Sequence, residues 1–127
     1  MPGACGMRHA AASARDGVYL WTSRQTPAML DIIGDIHGHA DKLEALLQKM
    51  GYRKRGGGPY AHPQRRALFL GDYIDRGPDI PRVLRIVRDM AEGGSATALM
   101  GNHEYNALCF NFRKPSGGYL REHSIKN

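Results

Sequence analysis

The sequence predicts an α/β fold in which short parallel strands alternate with helices. Three apolar runs, at residues 29–33, 67–70 and 96–100, have the length of buried strands, and each stops at a glycine-containing turn. The segments between them, 41–50 and 79–90, carry apolar residues at helical spacing. Strands alternating with helices imply parallel pairing through right-handed crossovers, which brings the carboxyl ends of all three strands to one edge of the sheet.

The elements follow in order. Residues 1–29 are rich in Ala, Arg, Ser and Gly and show neither strand alternation nor a helical stripe, so they read as an unstructured extension ahead of a domain at 30–127. Met29, directly before the first strand, is a candidate natural start. The first helix has leucines at 43, 46 and 47; Asp41 with Glu44 has the form of a capping box, and Gly51 stops the helix. Residues 52–66, with a Gly-Gly-Gly-Pro turn, suit a surface loop or a small hairpin. The second helix begins at Asp79, tolerates Pro81 in its first turn, and ends at Gly93-Gly94. After the third strand, Gly101-Asn102 introduces a further helix near His103.

Bulk properties limit the function. The 127 residues suffice for one domain, and no apolar run approaches the ~18 residues of a membrane span. Cys5 and Cys109 stand far apart and form neither a disulfide framework nor a metal-binding pair, which favours a reducing, cytoplasmic setting. The formal charge of +6 admits a polyanion partner, but the basic residues are scattered. Arg82, Arg85 and Arg88 recur at helical spacing opposite Val83, Leu84 and Val87, which reads as a solvated helix face rather than a nucleic-acid surface.

The chemistry lies at the strand ends. Gly34-Asp35-Ile36-His37, Gly71-Asp72-Tyr73-Ile74-Asp75-Arg76 and Gly101-Asn102-His103-Glu104 each place metal-competent side chains directly after a glycine. In a parallel sheet these three segments converge on one crevice. Asp35 and His37, two apart at a strand end, point to one side if the backbone is extended, and so supply an oxygen and a nitrogen to one cation. Asp72 can bridge to a second cation, for which Asn102 offers a carbonyl oxygen. Oxygen and nitrogen donors without thiolate suit manganese first, with iron, zinc, cobalt or nickel as alternatives. His103, oriented by Asp75, can protonate a leaving oxygen, and Arg76 can fork two phosphate oxygens. Taken singly, Asp-x-His and Gly-Asp are also turn sequences, and Asn-His-Glu is also a helix start; the convergence of all three carries the reading. His9, His39, His62 and His123 lack such company and read as exposed or locally bonded.

The three motifs, GDIHG at residues 34–38, GDYIDRG at 71–77 and GNHE at 101–104, resemble those of the calcineurin-like metallophosphoesterases. Within that superfamily the likeness is to the branch of phosphoprotein Ser/Thr phosphatases and symmetrical diadenosine tetraphosphatases. The resemblance implies a four-layer fold of two β-sheets flanked by helices, of which this chain supplies the N-terminal half. It implies two divalent metal ions, with Asp35 and His37 on one, Asp72 bridging and Asn102 on the other. It implies His103, supported by Asp75, as general acid, Arg76 on phosphate, and hydrolysis of a phosphorylated nucleotide or phosphoprotein. The family's two further histidine ligands have no counterpart here, so weak second-metal binding and impaired turnover are expected, and without the remaining strands of the family's sheets an exposed apolar surface is expected as well. The competing expectation is a remnant that binds phosphate or a partner without catalysis.

Overall fold

The computed structural model describes residues 29–123. The expectation of an unstructured extension therefore lies outside the described residues, apart from Met29, which opens the first strand. In chain order the elements are β1 (Met29–Ile33), α1 (Ala40–Lys49), β2 (Arg53–Lys54), β3 (Tyr60–Ala61), β4 (Arg65–Phe69), α2 (Ile80–Glu92), β5 (Ala96–Ala98) and α3 (Asn102–Asn111). β1, β4 and β5 form a parallel sheet with β4 in the centre, in register Asp31 to Ala67 to Ala96. The predicted parallel α/β arrangement is the one observed. The second and third strands are offset from the sequence reading: β4 starts two residues earlier, and β5 stops at Ala98, with Leu99 and Met100 exposed beyond it.

The core lies between one sheet face and helices α1 and α2. Ile33, Ala67, Phe69 and Ala96 from the sheet meet Leu43 and Leu47 of α1 and Val83, Ile86, Val87 and Met90 of α2. Burying a side chain such as Phe69 or Leu47 contributes about 1.5–3 kcal/mol, and these contacts fix the helices on the sheet. The opposite sheet face is open: Leu30 is 59% and Ile32 65% exposed. That is the apolar surface expected of this chain. Among the described residues no helix is long and apolar enough to cross a membrane.

Three local expectations are corrected. His39, not Asp41, occupies the N-cap of α1, and no side chain caps that end. Asp41 and Glu44 instead both take the guanidinium of Arg82, tying α1 to α2. A full charge on the neighbouring helix outcompetes a backbone amide for these carboxylates. Arg82 is accordingly an interhelical bridge on the helix face where Arg85 and Arg88 are exposed, whereas Leu84, expected opposite that face, is exposed too, and Ile86 and Met90 complete the buried stripe. The segment 52–66 does form a small antiparallel hairpin, but it is not purely superficial, because Tyr52 and Tyr60 are buried. The Tyr52 hydroxyl donates to Asp31 at 2.9 Å, and Arg65 pairs with the other oxygen, so the one carboxylate buried in β1 is satisfied. α2 follows the sequence reading closely: Asp79 is its N-cap and accepts from the Arg82 amide at 3.1 Å, and Gly93 closes it.

Candidate metal centre and active site

Three loops meet at the carboxyl edge of the sheet. The first links β1 to α1 and carries Asp35 and His37, the second links β4 to α2 and carries Asp72, Asp75 and Arg76, and the third leads from β5 into α3. The first two are laced together through their backbones. The amides of His37 and Gly38 donate to the carbonyls of Asp72 and Tyr73 at 2.9 and 2.7 Å, and the Gly77 amide donates to the His37 carbonyl at 2.7 Å. A Cβ at Gly77 would collide with that same carbonyl, so the contact requires glycine.

The backbone of this edge is strained. Among the described residues, five non-glycine residues have positive φ, and all five are predicted site residues: Asp35 (53°), His37 (45°), Asp72 (56°), Asp75 (69°) and Arg76 (66°). Each such conformation costs on the order of 1–3 kcal/mol, and clusters of them mark functional sites. This overturns one geometric premise: Asp35 and His37 are not extended. A left-handed turn, rather than strand alternation, directs each side chain.

His37, Asp72 and His103 each offer a ligand atom, and these atoms lie within 4.8 Å of one another. The His37 Nδ1–H donates to the Ile74 carbonyl at 2.9 Å, which fixes the tautomer and leaves Nε2 with its lone pair. His103 holds its Nδ1 2.6 Å from Asp75 Oδ2, and the two imidazoles meet edge to face at 4.6 Å. The Asn102 amide lies 3.2 and 3.3 Å from the two Asp72 oxygens. With its NH2 turned inward it donates to the carboxylate; with its oxygen turned inward three acceptors converge, an arrangement that a cation stabilises. The donor set thus fits a divalent ion of the first transition row. Asp35 lies outside the three-residue group and lines an adjoining cleft with His39, Lys42 and Leu46. Arg76 is exposed and forms no hydrogen bond or ion pair among the described residues, so its guanidinium is free to take a ligand.

The family model described as calcineurin-like phosphoesterase matches residues 29–127. The chain belongs to this family. Its members depend on divalent metal, in keeping with the donor group just described. Similar curated proteins are named bis(5'-nucleosyl)-tetraphosphatase PrpE [asymmetrical]. That of Bacillus velezensis is 44% identical over 73 residues, covering 58% of this chain and 29% of the relative. Those of Halalkalibacterium halodurans and Bacillus subtilis are 46% and 44% identical, each with 58% of this chain and 30% of the relative covered. The chain thus spans about 30% of the length of these curated relatives. The solved structure of a cold-active protein tyrosine phosphatase superposes with a TM-score of 0.50 at 30% identity, covering 65% of this chain and 28% of that one.

In this calcineurin-like phosphoesterase one residue of the third motif has a role that its sequence position as a helix start did not reveal. Glu104 accepts from the amides of Asp72, Tyr73 and Gly101 at 2.8, 2.7 and 2.9 Å, and from that of Ile74 at 3.2 Å. Burial raises its pKa, but the four amide bonds more than offset this and hold the carboxyl below its ordinary value. Tyr73 beside it is pushed up to about 12, first by burial and then by the Glu104 charge, and its hydroxyl donates to the Leu99 carbonyl at 2.6 Å. The available signal was the position of Glu104, three residues after Gly101 at a helix start, which marks a carboxylate able to reach back to loop amides.

Proposed function

We propose that the site hydrolyses phosphoanhydride or phosphoester bonds, with a dinucleoside tetraphosphate as the preferred substrate class and a phosphoprotein as the alternative. The observation that carries this reading is the placement of the His37, Asp72 and His103 donor atoms within 4.8 Å, with His103 anchored on Asp75. The tetraphosphatase names of the relatives favour the nucleotide substrate over the protein. Free Cys109 is in keeping with a cytoplasmic setting.

In this reading Asp35 and His37 would hold one divalent cation and Asn102 a second, with Asp72 shared between them and manganese first among the candidates. Bound cations supply Lewis-acid polarisation of the phosphoryl oxygens and an activated water. The chain's own residues do the rest. Asp75 orients the His103 ring so that Nε2 faces the reaction and can pass a proton to the departing oxygen. Arg76, planar and exposed, binds two phosphoryl oxygens and holds the group in line. A second reading, phosphate or partner binding without turnover, draws on Asp35 lying outside the donor group.

The test is hydrolysis of diadenosine tetraphosphate with added Mn²⁺, the products separated by chromatography, with Asp72→Asn and His103→Ala as controls. Turnover that both variants lose supports the proposal, and ATP plus AMP rather than two ADP identifies asymmetric cleavage. Folded protein that binds Mn²⁺ without turnover supports the second reading instead.

A further inference from the structure

The turn at Asp72 bends the backbone so that three successive N–H groups, those of Asp72, Tyr73 and Ile74, point at one spot. A left-handed residue within such a run makes an anion-binding concavity. Here the anion is internal. One Glu104 oxygen accepts from Tyr73 and Ile74, and the other from Asp72 and from Gly101 in the third loop. A single carboxylate therefore closes two loops on each other. The contact has no slack: a Cβ at Gly71 would collide with the backbone of Gly101, and one at Gly101 with the Asp72 carboxylate. In the same seam the His103 amide donates to Asp72 Oδ1 at 3.2 Å.

We propose that Glu104 is the positioning residue of the metal centre, setting the separation between Asp72 on the second loop and Asn102 and His103 on α3. It touches neither substrate nor cation and acts through the amides it gathers. Glutamine has the same shape but cannot replace it, because its NH2 would face amide donors that need an acceptor. Aspartate is a methylene too short to serve both loops. The inference rests on the metal-site part of the proposed function and not on turnover, so it stands or falls on cation binding.

The experiment is Mn²⁺ titration by calorimetry on the full chain, well below the melting temperature, comparing wild type, Glu104→Gln, Glu104→Asp and Asp79→Ala. Asp79→Ala removes the α2 cap and serves as a control for general destabilisation. Loss of such a supporting partner typically weakens metal affinity about 10–100-fold, which is the expected result for Glu104→Gln. Hydrogen exchange at the amides of residues 72–74 and 101 should quicken in the same variant. Asp79→Ala should lower the melting temperature with Mn²⁺ affinity unchanged. Unaltered affinity in folded Glu104→Gln would overturn the proposal, as would an equal loss of affinity in Asp79→Ala. If Glu104→Gln does not fold, Glu104→Asp decides by the same criterion. Wild type that binds no Mn²⁺ would overturn the metal reading itself, whereas binding without turnover would leave Glu104 supported and the proposed hydrolysis rejected.

Discussion

His103 and Asp75 are joined by a hydrogen bond of 2.6 Å between Nδ1 and Oδ2, although 28 positions separate them in the chain. The partners differ in exposure, with 24% of the His103 side chain and 57% of the Asp75 side chain accessible. The carboxylate approaches from the solvent side while Nε2 remains free to act.

If His103 delivers a proton to the leaving oxygen, its removal should depend on how much help that oxygen needs. His103→Ala is expected to lower kcat for an alkyl phosphate by about a hundred- to ten-thousand-fold. p-Nitrophenolate leaves without protonation and should suffer much less. Asp75→Ala should follow the same pattern with a smaller loss. Steady-state rates on paired substrates check this, and equal losses on both would remove the general-acid role.

The Arg82 bridge makes stability depend on acid. Burial pushes the Glu44 carboxyl up, but the hydrogen bond and charge of Arg82 more than offset it, so the folded-state pKa lies below the ordinary 4.5. A depressed folded pKa gives stability that is fully present above the unfolded value and lost as pH falls through the folded one. Wild type should therefore exceed Glu44→Gln in urea midpoint at neutral pH, with the gap closing below pH ~4.5. A gap that widens on acidification would contradict the assignment. Asp41, 88% exposed at its side chain, should matter little.

Gly71 combines a φ of 102° with direct apposition to the Gly101 backbone. Gly71→Ala is expected to force the second and third loops apart and to abolish Mn²⁺ binding, because both strain and collision act at the seam between Asp72 and Asn102. Calorimetric titration of the variant tests this. Gly56→Ala in the β2–β3 hairpin also has positive φ, but nothing lies near its added Cβ, so it should strain only that turn and leave cation binding intact.

Leu47 is fully buried between α1 and the sheet. Leu47→Ala should cost about 2–5 kcal/mol in urea unfolding, the range for a leucine whose cavity the surroundings only partly fill. A cost below ~1 kcal/mol would mean that α1 packs far more loosely than its burial implies.

Much of the fold and site was legible in the residues themselves. The alternation of strands and helices rests on local periodicity and on Gly and Pro as boundary signals, both of which act within a few residues. The three motifs were legible because parallel topology forces their strand ends onto one edge, which holds whatever the side chains do. Other features were settled only when distant segments met. Asp41 and Glu44 read locally as a cap, but Arg82 from the second helix offers a full charge where the backbone offers a partial one. Asp35 and His37 read as alternating strand residues, but the lacing of the first loop to the second turns both into the left-handed region. Glu104 read as a helix-start residue, yet three of its four amide donors lie some thirty positions earlier in the chain. The sequence alone thus determined that the three motifs meet, and along which edge. Their mutual orientation belongs to the tertiary structure, because it depends on hydrogen bonds and ion pairs between loops and helices that only folding brings within reach.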